Sequence, residues 1–189
     1  MAILLALLAA LLPPPPAGKP EEVAAVLRLH EKECNQVDSR RCFELGRAYE
    51  DGLGVEASLP AALALFEIAC ENDDGRACLR IALRHELGDG AELDFARAVI
   101  FYAKACEAGG IAPACSAAGI LFEKIAALHN PRRAAELYER ACEGRVGSSC
   151  LHLAQMIELG RDLPPDPVRV RDLRGRACFL GQREACGGK

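Results

Sequence analysis

CFELGRAYEDGLGVEASLPAALALFEIACENDDGRAC, residues 42–78, begins and ends on cysteines 36 positions apart and carries a third, Cys70, eight before its end. The interval recurs along the chain. Cys34, Cys70, Cys106, Cys142 and Cys178 stand 36 apart, and Cys42, Cys78, Cys115, Cys150 and Cys186 follow with steps of 36, 37, 35 and 36. Self-similarity at a fixed period of about 20–50 residues marks a solenoid, in which each unit buries its apolar face only against its neighbours.

Other columns at the same offset give the content of each unit. Ser58, Asp94, Asn130 and Asp166 recur every 36 residues, and their short polar side chains suit helix N-caps. Pro131 and Pro167 follow directly, at the first helical position, where a missing N–H is harmless; Pro60 comes one place later. Each cap opens an amphipathic helix B that runs to a first-series cysteine. A helix A is expected to open at each second-series cysteine, with a stripe through Leu45/Tyr49, Ile81/His85, Ala118/Phe122 and Leu153/Ile157. Small residues recur at Gly46, Ala82, Gly119 and Ala154, and at Ala69, Ala105, Ala141 and Ala177, where helices should cross closely. Glycines 52, 54, 88, 90 and 160 end helix A and allow a tight turn into helix B. The expected order is a lone helix B over 21–34, then repeats at about 41–77, 78–114, 115–149 and 150–185, with Cys186 tying the tail to the last helix.

The chain has 189 residues, 51% of them hydrophobic and 26% charged, with net charge −4. That is enough aliphatic content for a core and excludes a disordered chain. With 23 basic against 27 acidic residues, no dedicated nucleic-acid binder is expected. Residues 2–12 form an apolar run, too short to span a bilayer but suited to the h-region of a secretory signal peptide over 1–17; residues 18–189 are then the mature repeat domain, without a membrane span. The ten cysteines pair locally as C-x7-C, once C-x8-C. Zinc sites want C-x2–4-C and redox sites C-x-x-C, so no metal is expected. Five bridges are expected instead: Cys34–Cys42, Cys70–Cys78, Cys106–Cys115, Cys142–Cys150 and Cys178–Cys186. Each closes a short loop, worth about 2–3 kcal/mol by loop entropy, and joins one helix B to the next helix A.

These residues carry a family resemblance. Leu45-Gly46, Tyr49, Gly52, Gly54 and Val55 resemble the turn of a Sel1-like repeat, a relative of the tetratricopeptide repeat, and the flanking cysteines resemble the Helicobacter cysteine-rich protein family. The turn is repeated with Gly88 and Gly90, but Ile125 and Ala127 replace the glycines in the third unit. The resemblance implies an all-α, right-handed α/α superhelix, exported, with disulfides between repeats and a role in binding proteins or peptides. Some members carry a penicillin-binding or β-lactamase label.

No catalytic constellation stands out. S-x-x-K, G-x-S-x-G and H-E-x-x-H are absent, and His30, His85, His129 and His152 occupy different repeat positions. GLGVEA at 52–57 follows a helix rather than a strand and reads as a turn, not a dinucleotide fingerprint. Glu50, Glu86, Glu123 and Glu158 each lie eight residues after a second-series cysteine and should align into an acidic ladder, either the candidate partner-binding site or a set of polar edge residues that serve solubility or stabilise the turn. Arg97/Lys104, Arg133/Arg140 and Arg169/Arg176 form a basic ridge on helix B, and Phe66, Tyr102 and Tyr138 an inter-repeat core column. The expectation is a monomeric, non-catalytic scaffold without cofactor that binds a protein or peptide on its concave face, which helix A lines in this superhelix class, in the periplasm or outside the cell. The rival is a protein that binds or weakly hydrolyses β-lactams or peptidoglycan fragments. The mitochondrial intermembrane space is the alternative compartment.

Overall fold

The computed structural model describes Cys34 and residues 38–160 and 163–187. The leader over 1–17 and, apart from Cys34, the lone helix over 21–34 lie outside these residues. Among the described residues there are eight α-helices, each thirteen residues long, and no strand: α1 (Ser39–Asp51), α2 (Leu59–Glu71), α3 (Gly75–Leu87), α4 (Phe95–Glu107), α5 (Ala112–Lys124), α6 (Pro131–Glu143), α7 (Gly147–Leu159) and α8 (Pro167–Phe179). Odd helices are the A members and even helices the B members of four hairpins. Each helix packs chiefly on its predecessor and its successor, the contact pattern of an α/α solenoid.

The B helices start where the caps require. Ser58 Oγ accepts from Ala61 N, Asp94 from Arg97 N, Asn130 from Arg133 N and Asp166 from Val168 N and Arg169 N. The A helices start three residues before the expected point. Asp38 caps α1 through Arg40 N and Arg41 N, and Asp74 caps α3 through Arg76 N and Ala77 N. Each second-series cysteine from Cys42 to Cys150 is therefore the fourth residue of its helix, and each first-series cysteine from Cys70 onward lies one residue before the end of its own. The B-to-A link is correspondingly short. In three links a backbone N–H returns to the small column five residues earlier: Asp74 N to Ala69 O, Val146 N to Ala141 O and Gln182 N to Ala177 O, each at 2.9 Å. The remaining link is one residue longer, and Ile111 N closes it on Ala105 O at 3.2 Å.

Gly52, Gly88 and Gly160 cap helices A in the left-handed region, with φ of 68°, 67° and 60°, a conformation open to a residue without Cβ. The third hairpin lacks that glycine. Ile125 is extended there and a 3₁₀ turn, Ala126–Leu128, makes up the length. The closing bond survives the change: the N-cap N–H of helix B reaches Tyr49 O, His85 O and Phe122 O at 2.8, 2.9 and 3.0 Å in the first three hairpins.

Two apolar clusters fill the interior, one through the first three hairpins and one through the last two. The alanine column is sealed, with Ala69, Ala105, Ala141 and Ala177 all fully buried. Five disulfides cross the B-to-A links, with Cα separations of 4.6–4.9 Å, in the pairing Cys34–Cys42, Cys70–Cys78, Cys106–Cys115, Cys142–Cys150 and Cys178–Cys186. The chain then repeats its link once more. After Gln182 the 3₁₀ segment Arg183–Gly187 stands where the first turn of a further helix A would stand, with Cys186 fourth along it.

Candidate interaction surface

The glutamate column sits on the last turn of each A helix, and each member already holds an internal partner. Glu86 accepts from the Tyr102 hydroxyl and Glu123 from the Tyr138 hydroxyl, the latter at 2.6 Å. Glu158 pairs with Arg174 at 2.5 Å. Positions 66, 102, 138 and 174 are one column of helix B, occupied by Phe, Tyr, Tyr and Arg. Phe66 has no donor, and Glu50 turns instead to the next A helix, to Arg84 at 2.6 Å and Arg80 at 3.2 Å. The Glu50 side chain is left 5% exposed. Four like residues thus solve one packing problem in three ways, according to what helix B presents.

The phenols respond to this setting. Burial first, then the hydrogen bond to and the charge of Glu86, push the Tyr102 phenol far above its ordinary value; burial and Glu123 do the same to Tyr138. Phe66, Tyr102 and Tyr138 are at most 2% exposed. Their rings lie first against the A helix of their own hairpin: a Cβ added at Gly46 would stand 2.7 Å from the Phe66 ring, and one at Gly119 would stand 2.8 Å from the Tyr138 ring. Tyr138 also meets the following repeat, edge-on to His152 at 5.2 Å. The small column is thus required inside the hairpin as well as between units.

Cross-repeat polar contacts run along both layers. In the A layer, Arg76 reaches Glu44 at 3.5 Å and lies over the Phe43 ring at 4.1 Å, while the Ser149 hydroxyl donates to the buried Ser116 hydroxyl at 2.8 Å. In the B layer, Arg169 pairs with Glu139 at 2.5 Å and Arg133 with Glu107, while Glu136 meets Arg133 from its own helix. Arg97, Arg133, Arg169 and Arg176 of the expected basic ridge therefore have acidic partners close by. The sequence offered no signal for the Ser116–Ser149 bond beyond the repeat register that brings the two positions together.

Between the ion pairs the A helices present apolar side chains outward. Leu83 and Leu87 are one turn apart on α3 and 36% and 69% exposed; Leu159 on α7 is 63% exposed. Ile120 holds the position of Leu83 in the next repeat and is half-buried. His85 is buried, its Nδ1 3.0 Å from Glu92 O and its ring stacked on Phe101 at 6.0 Å, so it fastens the A-to-B turn. His129 Nδ1 lies 3.1 Å from Glu123 O. Among the described residues no group of three or more His, Cys, Asp or Glu side chains is placed to hold a metal ion. No helix among them is long and apolar enough to cross a membrane.

An array of antiparallel helix pairs at a 36-residue period, joined by short links, defines the class of α/α repeat proteins. The Sel1 repeat model matches residues 42–74, 75–110, 114–145 and 147–169, more than half of the chain, and the chain belongs to that family. No curated protein matches it. Among solved structures it is similar to c5321, a protective antigen of uropathogenic Escherichia coli strains displaying an SLR fold, at 23% identity, over 85% of this chain and 34% of that one, with a TM-score of 0.69. It is also similar to a Sel1 repeat protein of Oxalobacter formigenes, at 22% identity, over 84% of this chain and 63% of that one, with a TM-score of 0.62. Helicobacter pylori cysteine-rich protein B is a further match at 24% identity, over 70% of this chain and 96% of that one, with a TM-score of 0.49. The chain spans about a third of c5321 and under two thirds of the Oxalobacter protein.

Proposed function

We propose that this chain is an exported, non-catalytic scaffold that binds a protein or peptide partner on its A-helix face. The observation that carries the reading is the outward apolar set Leu83, Leu87 and Leu159, in register with half-buried Ile120, beside the ion pairs of Glu50 with Arg80 and Arg84; helix B exposes Ile100, Val168 and Phe179, so the cross-linking below compares the two faces. An exposed apolar patch rimmed by polar residues is one mark of an interaction face. Within this reading Glu86, Glu123 and Glu158 contribute acceptors at its rim, and Glu50, closed by two arginines, holds the first two repeats in register. Five disulfides support an oxidising compartment such as the periplasm or the cell exterior. A photo-cross-linker placed at Leu83, Leu87 or Leu159, in the native compartment, is expected to trap a discrete partner that the same group at Arg140 on helix B does not. Equal trapping at both faces, or none together with efficient turnover of nitrocefin or peptidoglycan fragments, overturns the proposal.

A further inference from the structure

Four of the five disulfides are closed inside the solenoid. Cys34, Cys42, Cys70, Cys78, Cys106, Cys115, Cys142 and Cys150 are each between 0 and 5% exposed. The fifth shares their spacing but not their setting. Cys178 is half-buried and Cys186 exposed. Both line a cleft of about 650 Å³ together with Glu158, Arg171 and Arg174. The segment held by the bond, Arg183–Gly187, is a 3₁₀ turn in which Ala185 is the one buried side chain. Each inner bridge, by contrast, links a pair of thirteen-residue helices or, at Cys34, a buried helical residue to one such helix.

We propose that Cys178–Cys186 is a thiol–disulfide exchange site, open to a thiolate co-substrate while the four preceding bridges stay closed. Exchange proceeds by attack of a thiolate on one sulfur of the bond, so access governs it as much as intrinsic reactivity. At the inner bridges an attacking sulfur must first prise neighbouring helices apart. At the fifth it approaches from solvent. The incoming thiolate bonds to Sγ of Cys186, and the electron pair of the Sγ–Sγ bond leaves on Cys178, which takes a proton from water. A second thiolate then attacks the reagent's sulfur in the mixed disulfide, and Cys186 leaves as a thiolate and is protonated in turn. The balance is two thiols oxidised to one disulfide and one protein disulfide reduced to two thiols. Opening the bond frees the 183–187 turn from the apolar cluster that holds Ala185 with Leu173 and Ala177.

The oxidised protein, treated under native conditions with reduced glutathione and quenched at intervals with N-ethylmaleimide, resolves the question by peptide mapping. Labelling of Cys178 and Cys186 is expected at least about tenfold faster than labelling of the other eight cysteines. Samples at short times are expected to hold a glutathione adduct on Cys186. Simultaneous labelling of all ten cysteines, or faster labelling of any inner pair, overturns the proposal; an adduct on Cys178 overturns the direction of attack. The double variant C178S/C186S is expected to keep the parent's helical circular dichroism and to lose the fast labelling phase entirely. Persistence of that phase in the variant overturns the assignment.

Discussion

Tyr138 and Glu123 form the smallest unit at which the repeat can be tested. The phenol donates to the carboxylate at 2.6 Å from full burial, so its neutral form is the one the fold accommodates. The native pKa is raised above the unfolded one. The stabilisation tied to that proton is complete below the ordinary phenol value of about 10 and is lost as pH rises above it toward the native value. In an alkaline titration followed by tyrosinate absorbance, Tyr102 and Tyr138 are expected to ionise together with loss of helical signal, not ahead of it. Tyr138→Phe should destabilise by about 1–2 kcal/mol in urea denaturation, because the Glu123 acceptor loses its donor. An unchanged midpoint would refute the role given to the pair. Spacing alone made the glutamates legible as a column, either an acidic ladder or part of the repeat's own turn, but not the partner of each. The helix B column they face recurs as regularly, since Phe66, Tyr102, Tyr138 and Arg174 follow 15 or 16 residues further on, the last three as partners. What spacing does not convey is the crossing angle that turns the columns toward each other.

Helix boundaries and crossings belong to the next scale. The four B caps were readable because Ser, Asp and Asn side chains do the capping themselves. Among the A starts that signal exists only at Asp38 and Asp74: α5 and α7 follow Ile111 and Val146, which make no side-chain cap, and depend on the link's own backbone bond. A pair of glycines separates crossing from propensity. Gly119 faces the Tyr138 ring so closely that Gly119→Ala is expected to destabilise. Overpacking of about 1–3 kcal/mol exceeds the roughly 1 kcal/mol gained in helix propensity. Gly175 lies in the interior of α8 with nothing within 4 Å of an added Cβ, and Gly175→Ala should stabilise by about 0.5–1 kcal/mol. Opposite shifts in the denaturation midpoint check the pair; a raised midpoint for Gly119→Ala would show that the small column is not a packing requirement.

For the whole molecule, the period alone was enough to give the number of hairpins, their order and the class of fold, since nearest-neighbour stacking leaves few alternatives. It was silent on the outward face, because Leu83, Leu87 and Leu159 satisfy a helical stripe as readily as core residues do and only the bundle decides which side meets water. The bridges also set how the array behaves under tension. Pulled from its ends, a repeat of 36 residues cannot give up the segment of eight or nine residues locked between its bonded cysteines. Each hairpin that ruptures should lengthen the tether by a contour of about 28 residues, roughly 95 Å at about 3.4 Å per residue, in place of the full repeat. In single-molecule stretching, a reductant should add a further length of about eight residues, roughly 27 Å, to each step once force has exposed the inner bonds. Steps indifferent to the reductant would mean that the locks were never closed. The array is a tether with its slack withheld, and the thiol content of its surroundings decides how much is let out.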